Sequence, residues 1–493
     1  MRFSRSLLAF VALLLACACS GGINPTPSTR SLVSQAAAAG ASTVAEAAQG
    51  AGLEGADVAA KAGATPSCAG VDAKVRASHK PHGLYVWNPN HFGPYVETSL
   101  LKVIGRDRSL CGASFVINWR DVNPARGVYD WSYVDGSTPP SNAPTPAPSA
   151  TPKPVNIAAP YVAANLRVNL LFADGPEIGS ANDVTPDFVT DPASSGGDGV
   201  PVIQCAGLPN KPGLPDQPYY PDAKFEADWA AFIKAAVAHF SSASPIAANI
   251  GYMRFGQGFG TEAEPGHGYD GSKGGGDWSA QQPACENAWT NPSLSPPLSV
   301  ATWKTHSLHV VDAIATAATA AATSKQMMIA LNGYSGDAVQ DIGAYFGYEL
   351  PNAVSAAAAA DGIGFGTENL GDTNPPTEPC GATGSFTDLY WCAPVNAPYA
   401  HAVPIEFQTI TQTAPHGALN VTTILKYAIA NHAQILELYP AEWLRANGIA
   451  PSKTEPVPSH ATRAAYECAL YSAGTTLGLA PSSATATPPP CSS

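Results

Sequence analysis

Three glutamates stand out because each lies in or just after a short apolar run. The run IGYMRF at residues 250–255 is followed by a glycine-rich turn and then by Glu262 and Glu264. A second run, VPIEFQTIT at residues 403–411, holds Glu406. Two carboxyl groups at the ends of different strands are what acid/base hydrolysis of a glycosidic bond requires. These three side chains are therefore the first candidates for catalysis.

Other carboxylates compete with them. Glu437 lies inside the run ILELYPAEW, in much the same setting as Glu406, and Glu368 follows the run GIGFGT. Glu177, after the run VNLLFADGP, is a weaker candidate. A structural role is the alternative in each case. A carboxylate within an apolar strand can form a buried ion pair, and a carboxylate in a turn can face solvent.

The elements that must position these residues are short apolar runs that alternate with longer helical patterns. Most of the runs are followed by Gly, Asn, Asp or Glu, which is typical of a parallel α/β architecture. The predicted strands are 84–87, 113–118, 168–172, 250–255, 327–331, 362–365, 403–409 and 434–438. Eight strand–helix units predict a single (β/α)8 TIM barrel with long loop insertions. A doubly wound open sheet is the alternative, but no G-x-G-x-x-G follows the first strand.

In a barrel of this kind the working residues lie at the carboxyl ends of the strands. Aromatic residues there can stack on sugar rings, and asparagines can bind hydroxyl groups. Core packing and turn formation are the alternative roles. The predicted substrate-binding residues are Trp87, Asn88, Asn118, Trp119, Tyr439 and Trp443.

Several other kinds of chemistry find no support in the sequence. No compact metal motif such as H-E-x-x-H occurs, and no G-x-S-x-G is present for a serine nucleophile. We therefore predict neither a metal nor a cofactor. The formal net charge is -13, and no Lys/Arg cluster is present, which argues against nucleic acid as a partner.

The segment FVINWRDVNPARGVYDWSYVD at residues 115–135 adds a resemblance. With a fourth-strand and a seventh-strand glutamate, it resembles clan A of the glycoside hydrolases, the four/seven superfamily. The resemblance implies a retaining mechanism with Glu406 as nucleophile and Glu264 or Glu262 as acid/base, about 5–5.5 Å apart. Most members carry Asn-Glu at the fourth strand, whereas Thr261 and Ala263 precede the two candidates here.

The N-terminus predicts export. Two arginines precede an apolar stretch at residues 7–15 that is too short to span a membrane. The following LLLACACSGG resembles a bacterial lipoprotein signal, with Cys17 or Cys19 as the lipidated residue; an ordinary signal peptide is the alternative. Parity favours Cys19, because cleavage before it leaves eight further cysteines, an even number that suits disulfides. Cys380 and Cys392 form the predicted pair because they share one loop segment.

The chain is thus divided into a signal peptide (1–18), a low-complexity tether (19–67), the barrel (68–479) with a Pro-rich insertion at 137–154, and a tail (480–493). The leading hypothesis is a glycoside hydrolase anchored in the bacterial cell envelope, with an oligo- or polysaccharide as substrate. A non-catalytic carbohydrate-binding lipoprotein on the same scaffold is the second hypothesis. An envelope protein whose carboxylates form only structural ion pairs is the third.

Overall fold

The structure is a computed structural model, and it describes most of the region predicted to form the barrel. The described residues are 81–104, 106–107, 109–142, 156–175, 184–203, 217–258, 261, 263, 291–331, 349–370, 394–409 and 418–477. The predicted signal peptide, tether and C-terminal tail lie outside these residues. So do most of the Pro-rich insertion and the predicted helix at 339–348.

Eight parallel strands close into a barrel, which confirms the predicted fold. Going round the barrel, the strand order is β1-β10-β9-β8-β7-β6-β3-β2. The barrel strands are β1 (Gly83–Trp87), β2 (Leu110–Asn118), β3 (Arg167–Ala173), β6 (Ile250–Phe255), β7 (Gln326–Ala330), β8 (Gly364–Leu370), β9 (Ile405–Thr409) and β10 (Ile435–Leu438). A short antiparallel pair, β4 (Val202–Ile203) and β5 (Gln217–Pro218), lies apart from the barrel and was not predicted.

Helices follow the strands along the chain, as the βα repeat requires. They are α1 (Pro94–Leu100), α2 (Trp119–Val122), α3 (Ser132–Asp135), α4 (Ala159–Ala163), α5 (Asp187–Thr190), α6 (Ala223–Ala238), α7 (Val300–Ala320), α8 (Glu349–Ala360), α9 (Ala418–Ala430), α10 (Pro440–Ala446) and α11 (His460–Thr476). α10 was not predicted as a separate helix, and it begins two residues after the last strand. Within the described part of the chain, no helix meets the length and hydropathy needed to cross a bilayer.

The barrel strands are buried on both faces, which is why they read as nearly continuous apolar runs. One face packs against the helices and forms the larger hydrophobic core. The opposite face lines the interior of the barrel, where a smaller cluster includes Tyr85, Leu171, Tyr252, Met328 and Ile435. Because side chains alternate along a strand, every second residue of a strand reaches this interior.

Two long helices, α6 and α7, show why the sequence folds into α segments here. The side chain of Asp222 caps α6 by accepting a hydrogen bond from the Lys224 amide at 2.8 Å. Ser299 caps α7 in the same way, accepting from the Thr302 amide at 3.1 Å. Each helix then buries an apolar stripe at helical spacing. In α6 the stripe consists of Phe225, Trp229, Phe232, Ile233, Ala236 and Val237.

Two cysteines of the described region, Cys111 and Cys468, are in disulfide bonds. Cys111 lies on β2 and Cys468 on α11, and both are buried. The predicted pair of Cys380 and Cys392 lies outside the described residues and stays a prediction.

Two aspartates, Asp198 and Asp228, and an arginine, Arg126, join α6 to two loops that precede it in the chain. Arg126 lies 2.5 Å from Asp198 and 2.8 Å from Asp228. Burial and the hydrogen bond with Asp198 raise the pKa of Asp228 to about 7. Burial also raises the pKa of Asp198, but its hydrogen bonds with Asp228 and Arg126 outweigh this effect and lower the pKa of that carboxyl. The two groups therefore share one proton over much of the acidic range.

This pair predicts a pH dependence of stability. The folded-state pKa of Asp228 exceeds the ordinary value of 3.8 for an aspartate. Its stabilising effect is therefore complete below about pH 4 and is lost as the pH rises through about 7. Asp228→Asn supplies a permanent donor to Asp198 without a second charge. Urea unfolding at several pH values between 4 and 8 should show a smaller fall in unfolding free energy for the variant than for the wild type. Equal pH dependence in the two proteins would show that the shared proton does not contribute.

Candidate active site

An arginine and a glutamate form an ion pair inside the barrel. Arg254 on β6 donates from Nη1 to Oε2 of Glu406 on β9 at 2.8 Å, and both side chains are fully buried. From Nη2 it donates to Oγ1 of Thr261 at 3.0 Å and reaches Oε1 of Gln408 at 3.5 Å. One guanidinium thus connects β9 with the segment that follows β6.

The position of Glu406 depends on a glycine on the neighbouring strand. Gly366 of β8 is the register partner of Glu406. A β-carbon at Gly366 would collide with the Glu406 carboxyl group. The absence of a side chain at this position therefore gives the carboxyl group room to lie against β8, where Arg254 reaches it.

A second carboxylate lies in the same interior. Glu437 on β10 accepts hydrogen bonds at Oε1 from the hydroxyl groups of Tyr252 and Ser114. Ser114 in turn accepts from Asn169 Nδ2 at 3.0 Å. Burial, together with the charges of Glu437 and Glu406, raises the pKa of Tyr252 well above its ordinary value, so its hydroxyl stays protonated and donates. The competing candidate Glu437 therefore lies in the same interior as Glu406, and the charges of both glutamates act on Tyr252.

The two glutamates receive different donors from one strand. Tyr252 and Arg254 are two residues apart on β6, so both point into the barrel. The arginine donates a charged hydrogen bond to Glu406, and the tyrosine a neutral one to Glu437. A nearby cation favours the ionised form of a carboxyl group. The arrangement therefore suits Glu406 to act as a carboxylate nucleophile or as an electrostatic stabiliser.

The residues on either side of Glu262 are held by buried contacts. Thr261 is bound by Arg254, as described above, and is buried. Ala263 is also buried, and its carbonyl oxygen accepts from Trp303 Nε1 at 2.8 Å. Glu262, Glu264 and Glu177 lie outside the described residues. The backbone of Glu368 lies in β8, but its side chain is outside the described part.

Aromatic side chains gather at the carboxyl ends of β1 and β10. Trp87 ends β1, and Tyr439 directly follows β10, with their ring centroids 4.8 Å apart. Phe92 lies 5.4 Å from Tyr439 and 6.1 Å from Trp87. Phe92 and Tyr439 are only partly buried and pack against the interior cluster. The structure thus brings together two of the predicted sugar-binding aromatics, Trp87 and Tyr439.

Trp119 and Trp443 are placed differently from the prediction. Both are fully buried in the core between barrel and helices. Trp119 packs against Trp229 at 4.9 Å and donates from Nε1 to Asn123 Oδ1 at 2.9 Å. Neither indole offers a face to a ligand. The structure therefore corrects the predicted substrate contact of these two residues to a packing role.

The two predicted asparagines also differ from each other. Asn88 is buried in the left-handed backbone region, at a φ of 38°, and its Oδ1 accepts from the Val116 amide at 3.4 Å. This side chain therefore shapes the turn after β1, which was the alternative role for it. Asn118 is half-buried at the end of β2, and its side chain does not cap α2. Its predicted contact with a sugar hydroxyl stays a prediction.

Sequence reasoning missed Arg254, Tyr252 and Asp174. A signal for Arg254 was present, since a lone arginine within the apolar run IGYMRF needs a buried counterion. Asp174 directly follows β3 and is fully buried. Burial raises its pKa well above the ordinary value, although a hydrogen bond from the Gly258 amide opposes the change. Asp174 therefore links the end of β3 to the turn after β6.

Among the described residues, no group of three or more His, Cys, Asp or Glu side chains is arranged to hold a metal ion. No family profile matches the chain. No curated protein sequence matches it either.

Two solved structures show a distant likeness to this chain. One is the exo-β-1,4-mannosidase Op5Man5 from Opitutaceae bacterium strain TAV5, with 13% identity and a TM-score of 0.36. The match covers 73% of this chain and 52% of the mannosidase, so the chain spans about half of that protein. The other is a psychrophilic family 10 endo-β-1,4-xylanase, with 11% identity, a TM-score of 0.34 and coverage of 73% and 86%. Likenesses this weak assign neither an activity nor a substrate to this chain.

The packing role of Trp119 predicts a large effect on stability. Trp119→Ala should lower the unfolding free energy by about 3–5 kcal/mol, because it leaves a cavity among packed rings. Trp119→Phe should cost less, since it keeps one ring. Urea unfolding measures both changes. A Trp119→Phe protein of normal stability that had lost carbohydrate binding would contradict the packing role.

Proposed function

We propose that this chain is a glycoside hydrolase that cleaves O-glycosidic bonds of an oligo- or polysaccharide by a retaining mechanism. Glu406 is the nucleophile, and a glutamate of the segment after β6, Glu262 or Glu264, is the acid/base. Trp87 and Tyr439 at the barrel mouth contact the sugar. No cofactor takes part.

The observation that carries the proposal is the double contact of Arg254. The same guanidinium binds Glu406 and Thr261, the residue directly before Glu262. The segment that holds the candidate acid/base therefore starts beside the candidate nucleophile. A retaining pair needs its carboxyl groups about 5–5.5 Å apart. We propose Glu262 ahead of Glu264 because it directly follows Thr261 in the sequence.

The reaction follows from these roles. The Glu406 carboxylate attacks the anomeric carbon while the acid/base glutamate gives its proton to the departing glycosidic oxygen. The carbon–oxygen bond of the substrate breaks, and a glycosyl ester forms on Glu406. The acid/base group, now a carboxylate, takes a proton from water. That water attacks the anomeric carbon and releases the sugar with its original configuration.

Substitution of the three glutamates tests the proposal on a panel of nitrophenyl and dinitrophenyl glycosides. Glu406→Gln should remove hydrolysis and leave the fold and sugar binding intact. Glu262→Gln should slow hydrolysis of nitrophenyl glycosides by about 10²–10⁴-fold, the usual contribution of a general acid. Dinitrophenyl glycosides should be affected less, because their leaving group needs little protonation. Glu264→Gln is the matched comparison. It should stay close to the wild type if Glu262 is the acid/base, and a larger loss in Glu264→Gln than in Glu262→Gln would assign that role to Glu264.

The configuration of the first product, followed by proton NMR, tests the retaining mechanism. Retention at the anomeric carbon is the expected result. Inversion would contradict the roles given to the glutamates. Carbohydrate binding without any hydrolysis by the wild type would instead favour the non-catalytic binding protein.

We also propose that the chain is attached to the bacterial cell envelope by a lipid on Cys19. The support is the sequence alone: a basic start, a short apolar stretch and a cysteine after small residues. In a bacterial host fed with labelled palmitate, the wild type and a Cys17→Ser control should take up label. Cys19→Ser should not. Label retained by Cys19→Ser and lost by Cys17→Ser would assign the anchor to Cys17. Absence of label in the wild type would contradict the proposed lipid anchor.

A further inference from the structure

We propose that Arg254 is a positioning residue of this reaction: it holds Glu406 in its ionised form and fixes it relative to Thr261. The inference rests on the proposed function and deepens it. Nothing in the clan resemblance of the sequence pointed to an arginine on this strand.

The geometry gives the guanidinium a fixed place. Arg254 is fully buried, and its donors contact groups on two parts of the barrel, β9 and the segment after β6. A guanidinium is planar, and its donors point in fixed directions. Once Thr261 and Gln408 hold one nitrogen, the other has a fixed direction toward Glu406. The carboxylate is thereby oriented as well as neutralised.

The neighbouring glutamate shows what the arginine adds. Glu437 lies in the same interior but receives a hydroxyl hydrogen bond from Tyr252. A hydroxyl group can bond to a carboxyl group in either protonation state, whereas a guanidinium favours the carboxylate. Of these two interior glutamates, Glu406 is therefore the one that Arg254 prepares for nucleophilic attack.

A purely structural ion pair would be a weaker explanation of the same contacts. Burying two charges costs several kcal/mol per ion before their attraction offsets it, and apolar residues of similar size often serve stability equally well. Here the pair lies in the barrel interior, on the strands whose ends carry the candidate carboxylates. Gly366 also leaves room for the carboxyl group of Glu406. Stability alone does not require this arrangement.

The experiment compares variants of Arg254 and Thr261 with a control elsewhere in the protein. Arg254→Met removes the charge. Arg254→Lys keeps the charge but replaces the planar guanidinium and its several fixed donors with a single ammonium group. Thr261→Val removes only the hydroxyl that holds Nη2. The control is Arg445→Met. Arg445 is another buried arginine, 2.8 Å from Glu455 and 3.8 Å from Glu442, and it lies on α10 outside the barrel interior.

Two readouts separate positioning from stability. The first is a carbon-13 NMR titration of protein labelled at the glutamate carboxyl groups, with Glu406 assigned by its absence in Glu406→Gln. The second is the pH profile of kcat/KM on the aryl glycoside that the wild type hydrolyses best. Arg254→Met should move the Glu406 titration midpoint and the acid limb of the profile upward together, by about 1–3 pH units. Arg254→Lys should restore most of that shift.

The remaining variants complete the test. Thr261→Val should lower kcat with little change in the Glu406 midpoint, and Arg445→Met should lower stability without moving the acid limb. An unmoved midpoint and acid limb in both Arg254 variants, with activity lost only in proportion to stability, would overturn the inference. If the wild type hydrolyses no glycoside, the proposed function fails and the catalytic role of Arg254 with it. The NMR shift would then identify a structural ion pair.

Discussion

The ion pair between Arg254 and Glu406 is the interaction on which the rest of the candidate site depends. Two charges in a barrel interior are stable only with close mutual contact and further hydrogen bonds. The protein supplies these from β6, β9 and the segment after β6. The glycine at 366 gives the carboxyl group its space. This constraint places the candidate nucleophile beside the start of the segment that carries Glu262.

The interior is unusual for a barrel because polar groups occupy much of it. TIM-barrel interiors are usually filled by layers of branched apolar side chains. Here Tyr252, Ser114 and Asn169 form a hydrogen-bonded group around Glu437, next to the pair formed by Arg254 and Glu406. A polar interior costs stability unless its groups bond to one another. This polar interior lies below the aromatic residues at the strand ends. Polar groups and aromatic rings are what a polyhydroxylated substrate would contact, which is the physical basis for the proposed reaction.

The sequence predicted the barrel well because its strands are buried on both faces and separated by helical periods. It also predicted that Glu406 lies inside a strand. The sequence did not predict the role of residues that differ only in how deeply they are buried. Like Trp87 and Tyr439, Trp119 and Trp443 lie at or soon after strand ends. Trp119, however, begins α2 and Trp443 lies within α10, and both indoles pack into the outer core. Strand-end position therefore does not distinguish a mouth residue from a core residue.

Arg254 was missed for a related reason. Carboxylates at strand ends were the predicted catalytic groups, whereas the arginine that orients Glu406 lies within a strand on another part of the barrel. Spacing along the chain does not reveal a contact between residues 152 positions apart. The matching signals, one arginine in IGYMRF and one glutamate in VPIEFQ, become meaningful only when the strands are known to face one interior.

The most direct test of the account is covalent trapping with a 2-deoxy-2-fluoro glycoside that carries a dinitrophenyl leaving group, chosen for the sugar that the protein hydrolyses. Such a compound forms the glycosyl–enzyme ester quickly and releases it slowly. If Glu406 is the nucleophile, the intact mass rises by one fluoroglycosyl unit and peptide mapping places this unit on Glu406. An adduct on Glu437 or Glu368, or hydrolysis with inversion and no adduct, would contradict this role.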